Sequence, residues 1–460
     1  MKSIIAFHIF LILLISSTTT LEAQQAYPLL DTIVTSFLET ANLPGISIAV
    51  SQDEQLIYAK GYGYADLENK IPMTPHMQLR TASVAKVITT TALGKLLSEG
   101  KIKLDVPIKT YVPYIDTQYE HLTLRQLTGH TSGMAHRPKG NAYKKKQYTS
   151  IKESTQLLKA PLLFEPDTQY QYSTHAFNLV AAAIEGASGQ SFETYLRGHV
   201  FKPLGMQQTV PENIKQLSEK DVQLYYHKKG TLTKEKLTNA SYKLAGAGFR
   251  STPTDLIKMM HGYTNGFITA EARETMFRSH QLKDGTTTQV GITWRSSIDA
   301  FGHNVIEHAG SWRGTRTVVV HYPKDNLNIA IMINADSSIL IEETAHILAY
   351  LIRNHNTSTD LSLDVHKKVS VTSRLNNEVT QHSAQFDFQN NQGMLTVDTI
   401  RFISSAPIYY IGNQHYVAIT KAGILYLQMT DIENARGDLF IYHTMHKTAP
   451  LEQTPLISFQ

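Results

Sequence analysis

Hydrophobic and polar residues alternate with clear helical and strand periods in the first hundred residues of this 460-residue chain. A helical period over residues 29–38 predicts an amphipathic helix. Two stretches with a period of two, residues 46–50 and 56–64, are separated by a short turn and predict a β-hairpin. A second helical stripe of apolar residues, over 84–97, predicts a buried helix.

The pattern then changes twice before residue 354. Residues 100–292 favour short helices and loops, and extended patterns are scarce there. Strands are predicted at 304–308, 315–322 and 327–334, and an amphipathic helix is predicted at 341–353. This order predicts an α+β fold. The early hairpin and the later strands would form one antiparallel sheet, with both terminal helices on one face and the helical stretch as a large insertion.

The C-terminal part of the chain has a different pattern. Residues 355–363 are polar and predict a linker after a main domain at 24–354. Short alternating runs between turn residues predict a small all-β accessory domain at 364–460. No cluster of residues in it suggests chemistry. The sequence leaves three roles for this domain as alternatives: it could contact the cell wall, cover a site or mediate dimerisation. The sequence does not determine the oligomeric state.

The N-terminus resembles a targeting segment. Lys2 precedes a stretch at 4–15 that is apolar except for His8, and small polar residues follow. This pattern is typical of a signal peptide, here residues 1–23, because the apolar part is too short for a membrane-spanning helix. We expect a secreted or periplasmic protein. An uncleaved N-terminal membrane anchor is the alternative.

Composition excludes several classes of chemistry. The chain has no cysteine, which rules out disulfides, thiolate catalysis and cysteine-ligated zinc. Its net charge of +4 is small, and its one basic cluster, residues 144–146, is interpreted as solvated surface, so no nucleic-acid partner is expected. The twenty histidines show no metal-ligand spacing. No metal and no cofactor are predicted.

Candidate chemistry begins at Ser83 and Lys86, at the start of the predicted buried helix. Residues three apart on a helix lie on one face with Cβ atoms about 5–6 Å apart, so the two side chains can touch. A hydroxyl becomes a good nucleophile when a base removes its proton, and a desolvated lysine can be such a base. Taken alone, the serine is equally compatible with a helix cap.

Two further segments carry candidate residues. Tyr172 lies where a loop enters an apolar helix, and a nearby ammonium would lower the pKa of its phenol below the usual value of about 10. The phenolate would then be a usable base, whereas the alternative is a packing residue. His308-Ala309-Gly310-Ser311 ends a predicted strand, and a backbone N–H there could face an oxyanion together with the N–H of Ser83.

In this order, Ser83-x-x-Lys86, Tyr172-Ser173-Thr174 and His308-Ala309-Gly310 resemble the three motifs of the serine β-lactamase and penicillin-binding protein superfamily. The likeness is strongest to the branch of class C β-lactamases, DD-carboxypeptidases, D-aminopeptidases and esterases. Segments 127–134 and 247–256 resemble further sequences of that branch. The resemblance covers about residues 27–354 and leaves out the C-terminal part.

The resemblance implies catalytic roles for five residues. Ser83 would be the nucleophile that becomes acylated, and Lys86 would help to activate it. Tyr172 would act as the general base and return the proton to the leaving group. His308 stands where many members carry lysine, and its ordinary pKa of about 6.5 predicts activity that changes with pH near neutrality. The N–H groups of Ser83 and Ser311 would form the oxyanion hole.

The resemblance also bears on substrates. Thr174 and Gly310 are expected to contact the substrate, and Thr174 stands where the family usually has asparagine. Threonine offers one hydroxyl in place of an amide, which makes recognition of β-lactams or peptide amides less certain. Asp167 similarly replaces a usual glycine. Loops at 137–148 and 221–243 are expected to shape the pocket.

The expected function is that of an exported serine hydrolase whose small-molecule substrate is an ester, a D-amino-acid peptide or a small amide. One alternative is a β-lactamase or penicillin-binding-type protein. The alternative from another class is a binding or sensor module that kept the fold and lost turnover.

Overall fold

The computed structural model describes residues 26–213, 222–228, 230–236, 238–336, 338–354, 361–375, 378–397, 399–440 and 455–459. The predicted signal peptide at 1–23 lies outside the described residues, and so does most of the predicted linker at 355–363.

Helices and strands divide the described chain into a mixed N-terminal body and an all-β C-terminal body. The α-helices are α1 (Pro28–Thr40), α2 (Ala85–Ser98), α3 (Leu124–Thr128), α4 (Ile151–Thr155), α5 (Ala176–Ser188), α6 (Phe192–Leu196), α7 (Leu244–Ala247), α8 (Pro253–His261), α9 (Ala270–Phe277) and α10 (Ile341–Arg353). The strands of the N-terminal body are β1 (Gly45–Gln52), β2 (Gln55–Asp66), β3 (Ile71–Pro72), β4 (Leu79–Arg80), β5 (Val210–Pro211), β6 (Tyr225–Lys228), β7 (Thr231–Lys234), β8 (Phe249–Ser251), β9 (Arg295–Ile298), β10 (Asn304–Trp312), β11 (Thr315–Tyr322), β12 (Leu327–Ile333) and β13 (Ala335–Asp336). The strands of the C-terminal body are β14 (Asp364–Leu375), β15 (Glu378–Gln389), β16 (Gln392–Thr396), β17 (Ala406–Tyr410), β18 (Tyr416–Thr420), β19 (Gly423–Asp431), β20 (Arg436–Phe440) and β21 (Pro455–Phe459).

One seven-stranded sheet organises the N-terminal body, with the strand order β3-β2-β1-β12-β11-β10-β9. The early hairpin joins the late strands through the antiparallel pair β1–β12, in which Ile46 lies opposite Ile333. The predicted α+β fold is therefore confirmed: the two ends of this body meet in the middle of one antiparallel sheet, and the helical stretch is inserted between them.

The two faces of the sheet bury different helices. Along β11, Val318 and Val320 pack with the terminal helices α1 and α10, whereas Val319 points to the other face and packs with α2. This alternation follows from the two-residue period of a strand. Each fully buried aliphatic side chain of this kind stabilises the fold by about 1.5–3 kcal/mol. The sheet thus places β10 and the start of α2 against each other.

The C-terminal body is a closed barrel of β14 to β21. Its interior is filled by side chains such as Phe386, Phe388 and Leu425. Alternate residues of β18 and β19, among them Val417, face outward and pack with the terminal helices. The Leu340 N–H donates a hydrogen bond of 2.6 Å to the Ala422 carbonyl, which ties the barrel to the segment before α10.

Some details differ from the sequence-based expectation. Strand β10 continues to Trp312, so His308 lies within the strand and not at its end. The stretch predicted to be mainly helical also contains the short strands β5 to β8; β5 and β8 form a small sheet with β4, and β6 and β7 form another with β13. None of the described helices combines the length and the apolar character needed to cross a membrane.

Candidate active site

Ser83 lies in a single 3-10 turn, Ala82–Val84, between β4 and α2. The residue before it, Ala82, is fully buried and has a left-handed backbone with φ of 45°. Such a conformation costs a non-glycine residue about 1–3 kcal/mol and persists where surrounding packing enforces it. The turn leaves the Ser83 side chain half-buried, at the floor of a cleft.

Gly310 on β10 makes this turn possible. A Cβ atom at Gly310 would lie 2.9 Å from the Ser83 backbone nitrogen and 2.5 Å from the Thr81 carbonyl oxygen. Real Cβ atoms do not approach backbone this closely, so only glycine lets the strand pass behind the nucleophile. The predicted oxyanion-hole residues, Ser83 and Ser311, both line the cleft as a result.

Lys86 is completely buried beneath Ser83. Its Nζ lies 3.2 Å from Ser83 Oγ, 3.3 Å from Thr174 Oγ1 and 2.8 Å from the Gly246 carbonyl oxygen. Burial lowers the pKa of Lys86 well below its usual value, and the positive charge of Arg295 lowers it further. A neutral amine has two N–H donors and one lone pair. It can therefore donate to Gly246 and Thr174 and accept the proton of Ser83.

The Tyr172 ring packs against the side-chain nitrogen of Lys86. Its ring centre lies 4.8 Å from Lys86 Nζ, and its hydroxyl hydrogen-bonds to the side chains of Ser83 and Thr174. Burial raises the pKa of Tyr172, and the charge of Arg295 only partly opposes this. The predicted lowering of the tyrosine pKa is therefore wrong. Desolvation outweighs both the charge of Arg295 and the hydrogen bonds with Ser83 and Thr174, which favour the phenolate.

His308 is fully buried behind the site and is not part of the cleft lining. Burial lowers its pKa well below the usual range, and the charges of Arg295 and Lys86 act in the same direction. A backbone contact with Ala309 opposes this shift without reversing it. The predicted titration of His308 near neutrality is therefore wrong, since a buried imidazole among cations stays neutral there.

The turn at 129–133 holds the Tyr172 loop in place. His130 Nδ1 accepts a hydrogen bond of 3.2 Å from the Ser173 N–H, and its ring centre lies 4.4 Å from that of Tyr172. The pKa of His130 is lowered well below its usual range, first by burial and then by the charge of Lys86. The imidazole is thus a neutral acceptor that positions the tyrosine.

Asp167 fixes the beginning of the same loop. Its backbone is left-handed, with φ of 64°, which explains why glycine suits this position. The carboxylate accepts hydrogen bonds from Thr131 Oγ1 at 2.6 Å, Gln126 Nε2 at 2.6 Å and His280 Nε2 at 2.8 Å. Burial raises its pKa, but the bonds from His280, Thr131 and Gln126 outweigh burial and lower the pKa to about 2.

The cleft above Ser83 has a volume of about 750 Å³. Its walls come from both predicted loops, through Arg137 and Tyr143 on one side and Lys243 on the other. The basic cluster at 144–146 is exposed, as predicted for solvated surface, and Lys144 also lines the cleft. Among the described residues, no group of three or more histidine or carboxylate side chains could hold a metal ion.

Sequence reasoning did not assign two contributors to the site. Gly246 lies directly before the segment 247–256 that resembles the family, and its carbonyl, as a backbone acceptor, leaves no signature in a side-chain motif. Arg295 acts through its charge on the pKa values of Lys86, Tyr172 and His308. It lies on the four-residue strand β9, which is too short for a periodic pattern.

Comparison with known proteins identifies the family. The family model described as Beta-lactamase matches residues 30–352. The chain belongs to the beta-lactamase family. Among the curated relatives of this family member, the human mitochondrial serine beta-lactamase-like protein LACTB is 31% identical over 300 residues, which are 49% of this chain and 55% of that protein. The chain thus spans about half the length of the LACTB relatives that it matches.

Solved structures agree on the fold of this beta-lactamase family member. D-amino acid amidase from Ochrobactrum anthropi SV3 superposes with a TM-score of 0.62 at 20% identity, over 71% of this chain and 100% of the amidase. An octameric penicillin-binding protein homologue from Pyrococcus abyssi superposes with a TM-score of 0.57 at 20% identity, over 89% of this chain and 97% of that chain. The superfamily resemblance seen in the sequence is confirmed.

Proposed function

We propose that this chain is a serine hydrolase that works through an acyl-enzyme on Ser83. The observation that carries the proposal is the contact of 3.2 Å between Ser83 Oγ and the nitrogen of a fully buried Lys86. Burial lowers the pKa of Lys86 and so favours the neutral amine, which is a base; with N–H groups donating to Gly246 and Thr174, its lone pair can face the serine hydroxyl.

Acylation begins when Lys86 Nζ takes the proton of the Ser83 hydroxyl. The serine oxygen attacks the substrate carbonyl carbon, and the carbonyl oxygen becomes an oxyanion. The backbone N–H groups of Ser83 and Ser311 would stabilise this charge, because both residues line the cleft where the carbonyl binds. Removal of one oxyanion-hole donor typically lowers kcat by about 10²–10³-fold.

Collapse of the intermediate breaks the bond to the leaving group, which needs a proton. Tyr172 is placed to supply it, since its hydroxyl hydrogen-bonds to Ser83 and its raised pKa keeps it protonated. The proton that Lys86 carries then returns the tyrosine to its neutral form. Water attacks the acyl group in the second half-reaction, and the same groups move protons in reverse to release a carboxylic acid and free Ser83.

The proposed substrates are esters, D-amino-acid peptides and related small amides. Thr174 supports a preference for esters, because its hydroxyl is already engaged with Lys86 and Tyr172 and is mostly buried. It therefore leaves little hydrogen-bonding capacity for a substrate amide. The fold shared with a D-amino acid amidase supports the amide alternative.

The test compares the wild type with Ser83→Ala in the hydrolysis of 4-nitrophenyl esters and in labelling by a fluorophosphonate. Loss of both signals in Ser83→Ala is expected. Ser188→Ala is a matched control, because that hydroxyl donates to the Ile184 carbonyl, accepts from the Gln190 N–H and lies outside the cleft lining, so both signals should remain intact. Hydrolysis that survives in Ser83→Ala would overturn the nucleophile assignment.

A panel of esters, D-aminoacyl amides and cephalosporins then separates the substrate classes. Turnover of cephalosporins above that of esters would identify the β-lactamase alternative. A stable acyl-serine without product release would instead identify a binding or sensor module, which the replacement at Thr174 makes a defined second candidate.

A further inference from the structure

The segment that leads into α10 forms one wall of the cleft over Ser83. Residues 338–340 and Glu342 line the cleft, and the helix begins within this wall, at Ile341. Its N-cap residue is Leu340, whose apolar side chain makes no capping hydrogen bond. A capping side chain is the usual local bond that fixes the first turn of a helix. The position of this wall therefore depends on other parts of the chain.

The turn between β18 and β19 of the barrel supports the start of α10. In addition to the bond of 2.6 Å from the Leu340 N–H to the Ala422 carbonyl, the Ile424 N–H donates to Thr344 Oγ1 at 3.2 Å. The Thr344 hydroxyl itself donates to the Leu340 carbonyl at 3.2 Å, so it joins the barrel to the start of the helix. Glu342 lies between these two attachment points, and the barrel thus fixes the backbone on both sides of it.

Gly423 lets this turn approach the helix closely. Its backbone has a positive φ of 149°, which favours glycine. A Cβ atom at this position would lie 3.1 Å from the Leu340 carbonyl oxygen and 3.2 Å from Thr344 Oγ1, closer than ordinary van der Waals contact. A larger side chain here would push the turn away from α10. The conformation of the turn and its hydrogen bonds therefore both serve the contact with the helix.

Glu342 connects this support to the catalytic groups. Its carboxylate lies 3.4 Å from Arg295, which is on β9 at the edge of the sheet. Burial lowers the pKa of Lys86, and the charge of Arg295 lowers it further. Glu307 also acts on Arg295, but it is engaged by His346 at 2.9 Å. The position of Glu342 therefore affects how much of the arginine charge acts on the base.

From this geometry we infer that the C-terminal barrel positions the catalytic base: its β18–β19 turn fixes the first turn of α10, and this holds Glu342 against Arg295 beside Lys86. The inference assigns a role to the barrel in the proposed hydrolase and therefore rests on that function. Thr344 and Gly423 are positioning residues, because they act through Glu342 and do not line the cleft.

Other ionisable groups near the base have to be separated from this effect. In the described structure, Lys86 also faces Tyr172, His130, His136, His175, Lys243 and His308. Burial lowers the pKa of the four histidines and raises that of Tyr172, and it raises the pKa of Tyr170 beside Arg295 to about 12. Burial lowers the pKa of Lys243 to about 6, so this lysine titrates in the range to be measured. Each profile is therefore also recorded in a Lys243→Met background.

Glu342→Gln tests the link between the cleft wall and the base. The measured quantity is the acid midpoint, the pH at which kcat/KM for 4-nitrophenyl acetate falls to half on the acid side. Without the carboxylate, the charge of Arg295 is less offset and lowers the pKa of Lys86 further, so the acid midpoint should move down by about 0.5 pH units or more. Asp325→Asn is the matched control, because it removes a carboxylate 2.7 Å from Arg353 at the other end of α10. An acid midpoint that stays in place in Glu342→Gln would overturn the inference.

Thr344→Val and Thr344→Ser test the contribution of the barrel while Glu342 is intact. Thr344→Val removes the acceptor of the Ile424 N–H and should move the acid midpoint in the same direction, whereas Thr344→Ser keeps the hydroxyl and should retain the wild-type value. Adding Thr344→Val to Glu342→Gln should cause no further shift, because both changes act through one carboxylate. Thr430→Val is the control, since that hydroxyl donates within the barrel, to the Arg436 carbonyl.

Hydrogen–deuterium exchange tests the contact without any substrate. Gly423→Val should increase exchange over residues 338–344, because the added side chain displaces the turn from α10. Unchanged exchange, or a wild-type acid midpoint in both Thr344→Val and Gly423→Val, would overturn the positioning role and leave the hydrolase function intact. If the wild type hydrolysed no ester, the hydrolase function would fail, and the exchange result would still decide whether the barrel holds the wall. Thermal unfolding shows that each variant is folded.

Discussion

Lys86 Nζ lies 3.2 Å from Ser83 Oγ at the bottom of a cleft, and the lysine has no exposed surface. The distance is set by one turn of backbone, but the chemistry is set by burial. A solvated lysine beside a serine would be an ammonium and could only donate a hydrogen bond. Desolvation turns the same contact into one between a hydroxyl and a base.

Replacing Lys86 by methionine should lower kcat/KM for activated esters by about 10²–10⁴-fold, the usual contribution of a positioned general base. Lys86→Arg should not restore the rate, because a guanidinium stays protonated. Steady-state kinetics check both. Lys95→Met, on the same helix, should leave the rate unchanged because Lys95 contacts Glu99 and the Phe267 ring and does not line the cleft. Wild-type rates in Lys86→Arg would contradict the base assignment.

Activity should fall as the pH is lowered, with Lys86 and not His308 responsible. Burial lowers the pKa of Lys86, so the neutral base extends to lower pH than in a solvated lysine and is lost as the pH falls through that pKa. His308 stays neutral because its own pKa is lowered well below the usual range. Profiles of kcat/KM between about pH 5 and 8 should therefore have the same shape for the wild type and His308→Gln. If the decrease of kcat/KM at low pH disappeared in His308→Gln, the titrating group would be the histidine.

Gly310→Ala should reduce kcat by tenfold or more, since its methyl group would collide with the Ser83 nitrogen and the Thr81 carbonyl and displace the nucleophile. Gly198→Ala is the matched control, because no atom lies within 4 Å of a Cβ at that position. The comparison uses ester kinetics together with thermal unfolding. Equal kcat values for the two variants would show that close approach of β10 is not required.

The buried pair of His346 and Glu307, with a contact of 2.9 Å, should make stability depend on pH. Burial lowers the pKa of His346, but the charge of Glu307 and its hydrogen bond outweigh burial and raise the pKa to about 9. The unfolded value is about 6.5. The stabilisation is therefore complete below about pH 6.5 and is lost as the pH rises through about 9.

His346→Gln tests this pair by urea unfolding at several pH values. The variant should lose about 3–5 kcal/mol of unfolding free energy below neutrality, because the buried Glu307 carboxylate loses its ion pair with His346. It should also lose the decline in stability toward alkaline pH. His366→Gln serves as the control, since the contact of His366 with Asp387 is exposed and solvent-screened surface pairs contribute little to stability. A wild type whose stability is constant up to alkaline pH would refute the assignment.

Thr174→Asn should shift the substrate preference toward amides. Asparagine adds two N–H donors and a carbonyl acceptor, whereas the threonine hydroxyl is occupied by Lys86 and Tyr172. The ratio of kcat/KM for a D-aminoacyl amide to that for the matching ester should rise by about tenfold, roughly the contribution of one hydrogen bond. An unchanged ratio would mean that residue 174 does not determine whether the enzyme prefers an amide or an ester.

Much of the fold could be predicted from the sequence because its elements are strongly periodic. The predicted helix at 341–353 and the predicted strand at 315–322 have the bounds that the structure gives them, since long amphipathic patterns leave few alternatives. The sequence pattern does not predict the strand β9 or the short strands β5 to β8, because two to four residues carry no measurable period. The closure of the C-terminal strands into a barrel could not be predicted either, because the sequence pattern indicates strands but not how they pair.

The sequence by itself determined which groups the site contains: Ser83 and Lys86 at helical spacing, Tyr172 before an apolar helix, and a histidine with two small residues after it. Only the tertiary structure decided their protonation and their access. Burial acts on every ionisable group at once, so it makes Lys86 a base, keeps Tyr172 a phenol and removes His308 from titration near neutrality. The same holds for Lys243, whose pKa burial lowers to about 6, because the solvation of a residue depends on neighbours that are distant in the chain.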